Sequence, residues 1–278
     1  MKPRKQVLQN VLIGATAVLF GGARLLPGHN ARGPVMNAAT AFVTGSTTVA
    51  SAAATDSSGT SAAAMSSVAM ETKDAIAALE SAVRPLSSPN ALDDAFKAYF
   101  EYKSAHPDDV KKPYLYFVDY GLPSTTTRGY VFDMENLKII EGPFTVAHGR
   151  GSSTSQYGIP TRFSNGSGSA ETSLGLYVTR ATYAFTGHAG GRLYHSIGLR
   201  LDGVSKGFNT NALARGVVAH GAPYVTPSRA GRSEGCPAME PDRAQRLLPK
   251  LANGSLVFLF APNSSWLAAD PWVNANNG

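Results

Sequence analysis

The 278-residue chain is 43% hydrophobic with 28 glycines and 17 prolines, a composition that fits a globular, turn-rich protein with one good core. Its formal net charge is +6, but Lys2, Arg4 and Lys5 all precede the first acid, Asp56, and without those three the balance is +3. That is too modest to make nucleic acid a partner.

Residues 1–23 combine a positive start, an apolar run from Val11 to Phe20, and small residues at Gly21 and Ala23. This is the pattern of a signal peptide, so the chain is expected to be exported. The run is shorter than the roughly 20 residues a bilayer span needs. An uncleaved anchor is the second reading and a transit peptide the third, and no other segment is long and apolar enough to cross a membrane. Residues 24–71 are mostly Ala, Ser, Thr and Gly, a composition that cannot bury enough apolar surface to fix itself, and are expected to form a flexible tether.

Two short helices are expected over 72–106. Ile76, Leu79 and Val83 have helical spacing and stop before Pro85; Asn90 is placed to cap a second helix with Leu92, Phe96, Tyr99 and Phe100 on one face. From Pro113 the pattern changes to short β-branched and aromatic runs between Gly, Pro, Asn and Ser clusters: YLYFVDY, RGYVFDM, LKIIEGPFTVAHG, LGLYVTR, HSIGLRL, GVVAH and LVFLFA. These predict a mainly β domain over 107–278, an antiparallel sandwich or barrel. A helix interrupts it at Pro241 to Leu251, with Ala244, Leu247, Leu248 and Leu251 on its apolar face, and Asn253-Gly254 ends it.

Chemistry concentrates in one place. The only cysteine, Cys236, stands in SEGCP, and His220 lies sixteen residues earlier at the end of GVVAH. A thiol that attacks a carbonyl needs a base, oxyanion donors and an exposed position. Gly235 allows a sharp turn, so that the Gly235 and Cys236 N–H groups are candidates for an oxyanion hole, while Arg232 and Ser233 supply a cation favouring the thiolate and a hydroxyl. The carbonyl of Gly221 is placed to orient the His220 imidazole as a carboxylate does in other triads. A buried, inert thiol beside a strand-end histidine is the alternative, and the residues alone leave the two readings open.

HGAPYV and GRSEGCPAM resemble the active-site signature of the L,D-transpeptidases, the YkuD-type cysteine enzymes of bacterial cell walls. The blocks VAHGRGS, RFSN, SLGLYVT, IGLRLDG and GFNTNALARGVVAHGAPYV resemble, in order, the branch described as murein L,D-transpeptidase catalytic-domain proteins. The resemblance implies a YkuD-like fold, Cys236 as the acyl-accepting nucleophile, His220 as base, and Gly221 as the group that orients it. It also implies that Ser233 and Gly235 shape the nucleophile turn. Glu234 stands where the broader family usually has histidine, and Pro237-Ala238 replace its usual residues after the cysteine.

The expected substrate is a peptidoglycan stem peptide. Between Gly142 and Ser233 there are nine Lys or Arg and only Glu171 and Asp202 as acids, a cationic surface suited to peptide carboxylates. Arg232 is the first candidate to contact substrate and Arg215 the second; the resemblance adds Tyr224, His188, His148 and Asn165. The resemblance implies no cofactor and susceptibility to carbapenem-type inhibitors. His188, His195 and His220 lack an HExxH or Cys-pair context for metal, and the scarcity of acids disfavours a two-carboxylate glycosidase. A hydrolase using the same site, an L,D-carboxypeptidase or amidase, is the nearest alternative. An inactive wall-binding module is the third.

Overall fold

A computed structural model of the chain describes residues 57–274, with side chains from residue 62 onward. The expected signal peptide and the first part of the expected tether lie outside the described residues. Helix α1 spans Ser57–Leu79 and continues into a 3-10 turn at Glu80–Ala82; α2 spans Ala91–Ala105. The sequence predicts a tether as far as residue 71, whereas the structure is already helical from Ser57. Alanine is the strongest helix former, and Val68, Thr72, Ala75 and Leu79 repeat at intervals of four, three and four to give a buried stripe. That stripe packs on α2, which supplies the tertiary burial that composition alone does not reveal. Asn90 occupies the position before α2, but its side chain caps nothing; its carbonyl accepts the Asp94 N–H at 2.9 Å.

The strands follow in chain order as β1 Tyr114–Asp119, β2 Gly129–Asp133, β3 Lys138–Phe144, β4 His148–Gly149, β5 Gly175–Ala189 and β6 Arg192–Gly203. After them come β7 Val218–Gly221, β8 Val225–Thr226, β9 Arg229–Ala230, β10 Arg232–Ser233 and β11 Ala238–Met239. Helix α3, Pro241–Leu251, precedes β12, Leu256–Phe260, and a single-turn α4 at Ser264–Leu267 closes the described chain. One eight-stranded sheet runs β11-β7-β6-β5-β12-β1-β2-β3, and the pairs β10-β4 and β8-β9 stand apart from it. The fold is mainly β, as the strand runs predict, but it is not wholly antiparallel. β1 pairs with β12 and β11 with β7 in parallel. Parallel neighbours need a crossover between them; the segment 222–237, with β8, β9 and β10, supplies it between β7 and β11, and all the elements from β2 to α3 lie between β1 and β12.

Every residue of β2 and β12 is buried, and so are all of β1 except Tyr114. Strands covered on both faces read as continuous apolar runs rather than alternating ones. On α2, Phe96 meets Phe132 of β2 edge-on at 5.2 Å, so the helical pair and the sheet share one core. Helix α3 buries Ala244, Leu247, Leu248 and Leu251, the four residues its periodicity predicts, and packs on β6 and β7. Asn253 and Gly254 then take positive φ of 63° and 110° to reverse the chain.

β5 and β6 are much longer than their neighbours. β12 pairs with β5 only over Gly175–Val178, and β7 with β6 only over Gly198–Arg200. The pair therefore continues as a two-stranded hairpin to the Gly190-Gly191 turn, whose φ values are 58° and 76°. This hairpin stands beside the end of β7 that carries His220.

Leu79 is 2% exposed on the packed face of α1. Leu79→Ala is expected to lower stability by about 2–4 kcal/mol, read as a lower urea midpoint at unchanged slope. An unchanged midpoint would mean that α1 adds nothing to the core.

Candidate active site

The nucleophile turn is fixed from two sides. On one, β11 lies parallel to β7 with Ala238 opposite His220, and the His220 N–H donates to the Pro237 carbonyl at 3.3 Å. On the other, β10 pairs with β4, Arg232 opposite His148 and Ser233 opposite Gly149. Residues 234–237 bridge the two pairings, so the sulfur of Cys236 is delivered beside the strand that carries the imidazole. Within the turn, Ser233 Oγ donates to the Cys236 carbonyl at 2.7 Å and accepts the Gly235 N–H at 3.1 Å. Gly235 has φ of 126°, and a Cβ there would come within 2.8 Å of the Glu171 carbonyl oxygen. Only glycine takes that conformation in that space.

Cys236 and His220 line one cleft of about 250 Å³, together with Phe185, Tyr194, Tyr224 and Arg232. His220 Nδ1 lies 3.1 Å from the Gly221 carbonyl oxygen. A carbonyl only accepts, so Nδ1 carries the hydrogen and Nε2 is left with its lone pair, the tautomer a general base needs. Phe185, on the hairpin, packs edge-on against the imidazole at 5.5 Å. Burial holds His220 below its ordinary 6.5, partly opposed by the Gly221 carbonyl, so the ring is neutral at pH 7.

The thiol is also neutral. Cys236 is half-buried, and burial pushes it above its ordinary 9.0, against the opposing effects of the Val218 backbone N–H and Arg215; Glu234 pushes it further up. Arg232 was placed by the sequence as the cation that favours a thiolate, but burial outweighs the nearby charge, and Arg215 is the arginine whose charge reaches the sulfur. The S–H points at the Gly216 carbonyl at 4.0 Å, and no hydrogen bond joins it to His220 among the described residues. Contacts of this kind commonly tighten only when substrate is bound. The pair is therefore a thiol and a neutral imidazole rather than a preformed ion pair.

One oxyanion donor falls away. The Gly235 N–H, expected to point at the reacting oxygen, is held by Ser233 Oγ, which leaves the Cys236 N–H, given no acceptor among the described residues, as the backbone donor of the turn.

Residues 84–260 match the family described as L,D-transpeptidase catalytic domain. The chain belongs to that family. The matched span begins before α2, so this helix is part of the family's domain, although the sequence reading starts the catalytic domain at residue 107. Among solved structures, the chain is similar to an L,D-transpeptidase from Mycobacterium smegmatis, at 15% identity, with 54% of this chain and 59% of that one covered and a TM-score of 0.33. It is similar also to an L,D-transpeptidase from Stackebrandtia nassauensis, at 17% identity, 62% and 67% coverage and a TM-score of 0.33. A third is the L,D-transpeptidase LdtMt1 in complex with imipenem, at 16% identity, 53% and 59% coverage and a TM-score of 0.31. The chain thus spans 59% of the length of the first and third of these. No curated protein matches it.

Within this transpeptidase domain, several residues expected to touch substrate have other partners. Arg215 donates to the carbonyls of Ser164 and Glu171 and to the hydroxyls of Ser173 and Ser169. It clamps the 164–173 loop behind the nucleophile turn and is not part of the cleft lining. Asn165 is tied to Thr210 and Asn211, on a different face. His148 is fully buried beneath the turn. Tyr224, His188 and Arg232 do line the cleft, although Arg232 also donates to the Ser153 carbonyl at 3.2 Å.

The sequence reading missed the supports beneath. Arg128 is wholly buried, without a carboxylate partner among the described residues. It donates to the carbonyls of Val146 and Leu122 and to His148 Nδ1 at 2.9 Å, and lies over the Tyr120 ring at 4.7 Å. Thr172 Oγ1 accepts the Gly149 N–H and donates to the Gly235 carbonyl, joining β4 to the turn. Nothing local in the sequence marks Arg128 or Thr172, because their partners are distant backbone groups.

His148 gives a pH signature. Burial, Arg128 and Arg232 lower its pKa from 6.5 to about 3. Below pH 6.5 the unfolded chain therefore takes up a proton that the folded protein refuses, and stability falls from there towards pH 3. His148→Gln keeps an acceptor for Arg128 and removes the titration. Between pH 7 and pH 4 the variant is expected to lose less Tm than the wild type, and parallel losses would sink this account.

Proposed function

We propose that the chain is an exported cysteine acyltransferase that acts on peptidoglycan stem peptides by L,D-transpeptidation. The reading is carried by one arrangement: a half-buried thiol and a neutral, backbone-oriented imidazole lining one cleft of a domain of this family. Cys236 gives its proton to His220 Nε2 as the sulfur attacks the carbonyl carbon of an L,D peptide bond. The Cys236 N–H stabilises the oxyanion. When the tetrahedral intermediate collapses, the C–N bond breaks, and His220 returns the proton to the departing amine of the terminal D-residue. A second stem's amine then attacks the thioester carbon, its proton passes through His220 Nε2 to the sulfur as the C–S bond breaks, and the cross-linked product leaves with the thiol restored.

Arg232 and His188, both on the cleft lining, are the groups for the donor stem's carboxylates, and Tyr224 and Phe185 the walls against which it packs. Export to the periplasm or cell envelope follows from the N-terminal pattern. A strained β-lactam carbonyl of the carbapenem type meets the same thiol and acylates it, with no cofactor. Water in place of the amine gives the carboxypeptidase outcome with the same residues.

Mass spectrometry of tetrapeptide muropeptides incubated with the full chain tests the reading. A cross-linked dimer is expected, absent with Cys236→Ala and reduced about 10²- to 10⁴-fold with His220→Gln. Loss of the terminal D-residue without dimer would make the enzyme a hydrolase. No Cys236-dependent product would leave the domain a wall-binding module.

The neutral pair also fixes the pH profile. The base works only unprotonated, and its pKa is depressed, so kcat/KM is expected to fall in acid with a midpoint below 6.5 and to hold level from pH 7 to 8. A midpoint above 6.5 would overturn the reading of His220 as a base that burial holds below its ordinary pKa.

A further inference from the structure

Glu234 is the sole carboxylate among the described residues that line the Cys236 cleft. Its side chain is 71% exposed, two positions before the nucleophile, and Oε1 lies 2.7 Å from Nε of Arg150. Oε2 accepts no hydrogen bond, and the Arg150 Nη groups donate none, among the described residues. The backbone beneath is firm: the Arg150 N–H donates to the Ser233 carbonyl at 2.7 Å, and Ser233 is fixed by the β10-β4 pairing. Two side chains with most of their hydrogen-bonding capacity open thus stand on a rigid base, Glu234 in the lining of the reaction site and Arg150 paired to it from just outside that lining. Water competes for both charges, so the pair opens readily for a better partner. The negative charge of Glu234 is felt at the sulfur, which places it within electrostatic reach of the acyl group that Cys236 would carry.

The rest of the lining is cationic or neutral, with Arg232 and His188 on it. An amine acceptor arrives as an ammonium and is repelled by such a surface except at Glu234. A simple ammonium would still have to displace Arg150 from the carboxylate and leave the guanidinium unpaired. An amine that carries a carboxylate on the same carbon avoids that loss, because its two adjacent charges match the two adjacent charges of the protein in reverse order, and the guanidinium fork suits a carboxylate.

We infer that Glu234 and Arg150 form the acceptor subsite and select an amine bearing a carboxylate on the same carbon, with Glu234 taking the ammonium and Arg150 the carboxylate. This rests on the transpeptidase reading and names the acceptor class for it. The bound ammonium loses one proton to solvent to become the nucleophile. The amine nitrogen bonds to the thioester carbon as the C–S bond breaks, and its second proton passes through His220 Nε2 to the leaving sulfur. Glu234 and Arg150 are specificity residues: they hold the acceptor and leave the bond changes to Cys236 and His220. Water has no charges for them to read, so they also bias the acyl-enzyme away from hydrolysis.

The full chain is supplied with a tetrapeptide donor and either D-methionine or D-methioninamide, which share an ammonium and a side chain but differ in the carboxylate. Exchange product and hydrolysis product are quantified by mass spectrometry, and acylation of Cys236 by imipenem is followed by intact mass in the same samples. The wild type is expected to prefer D-methionine by about tenfold, the worth of one charge-assisted contact. Arg150→Gln is expected to bring the two acceptors within about twofold of each other. Glu234→Gln is expected to lower the exchange-to-hydrolysis ratio about tenfold for both acceptors. Equal use of the acceptors by the wild type, or an unchanged preference and ratio in the two variants, would overturn the inference while Cys236 still acylates. Absence of Cys236 acylation in the wild type would instead overturn the transpeptidase reading on which it rests.

Discussion

The short parallel pairing of β11 with β7 is the constraint on which the rest of the site depends. Two residues of ladder, with bonds from the His220 N–H to the Pro237 carbonyl and from the Ala222 N–H to the Met239 carbonyl, join a turn to a strand that lies sixteen residues earlier. So short a ladder at the sheet edge would fray if it stood alone. It holds because the chain on each side is committed elsewhere, to β4 through Arg232 and Ser233 before the turn and to α3 from Pro241 after it. The relative position of sulfur and imidazole is thus a property of backbone pairing, with little left to flexible side chains.

Beneath that turn the protein buries polar groups in quantity. Arg128 has no counter-charge in contact among the described residues, and it is made tolerable by three carbonyl bonds, an imidazole nitrogen and the face of Tyr120. Burial lowers its pKa to about 10, which leaves it cationic at neutral pH. An unpaired buried group is costly, so a network of this kind persists only when nearly all its donors find acceptors in one geometry, and that requirement makes the bed of the turn rigid. Arg215 and Thr172 act alike on the other side. His220 is itself held below its ordinary pKa by burial, which suits a base that must begin unprotonated.

The parts of the molecule governed by local pattern were readable from residues alone. The strand runs, the limits of α3 and its four buried residues all follow from periodicity, and the SEGCP turn stands out because only glycine and proline shape a chain so sharply. What periodicity could not show was pairing between distant segments: the parallel partners of β1 and β7, the burial of His148, and the engagement of Arg215 and Asn165 with loops. Arg215, at the start of the histidine strand, reads as a ligand for substrate, and only the fold reveals four oxygen atoms already around it. The first part of α1, up to residue 71, reads as a tether for a related reason, since an Ala- and Ser-rich stretch has no strong apolar face until α2 supplies a surface for Val68.

The group that orients His220 is the main-chain carbonyl of Gly221, and this gives the site an unusual genetic character. Where a carboxylate does that work, a single codon change deletes it; a carbonyl is present whatever residue is encoded. The weakness moves from chemistry to shape. A methyl group at position 221 would lie 2.7 Å from Ser196 Oγ, 2.9 Å from Ala244 Cβ and 3.0 Å from the Pro241 Cα, so the smallest possible side chain would push β7 away from α3 and swing the carbonyl off the imidazole. The third member of the constellation is thereby encoded by the absence of a side chain, and the damaging alleles at this codon act by displacement rather than by removing a functional group.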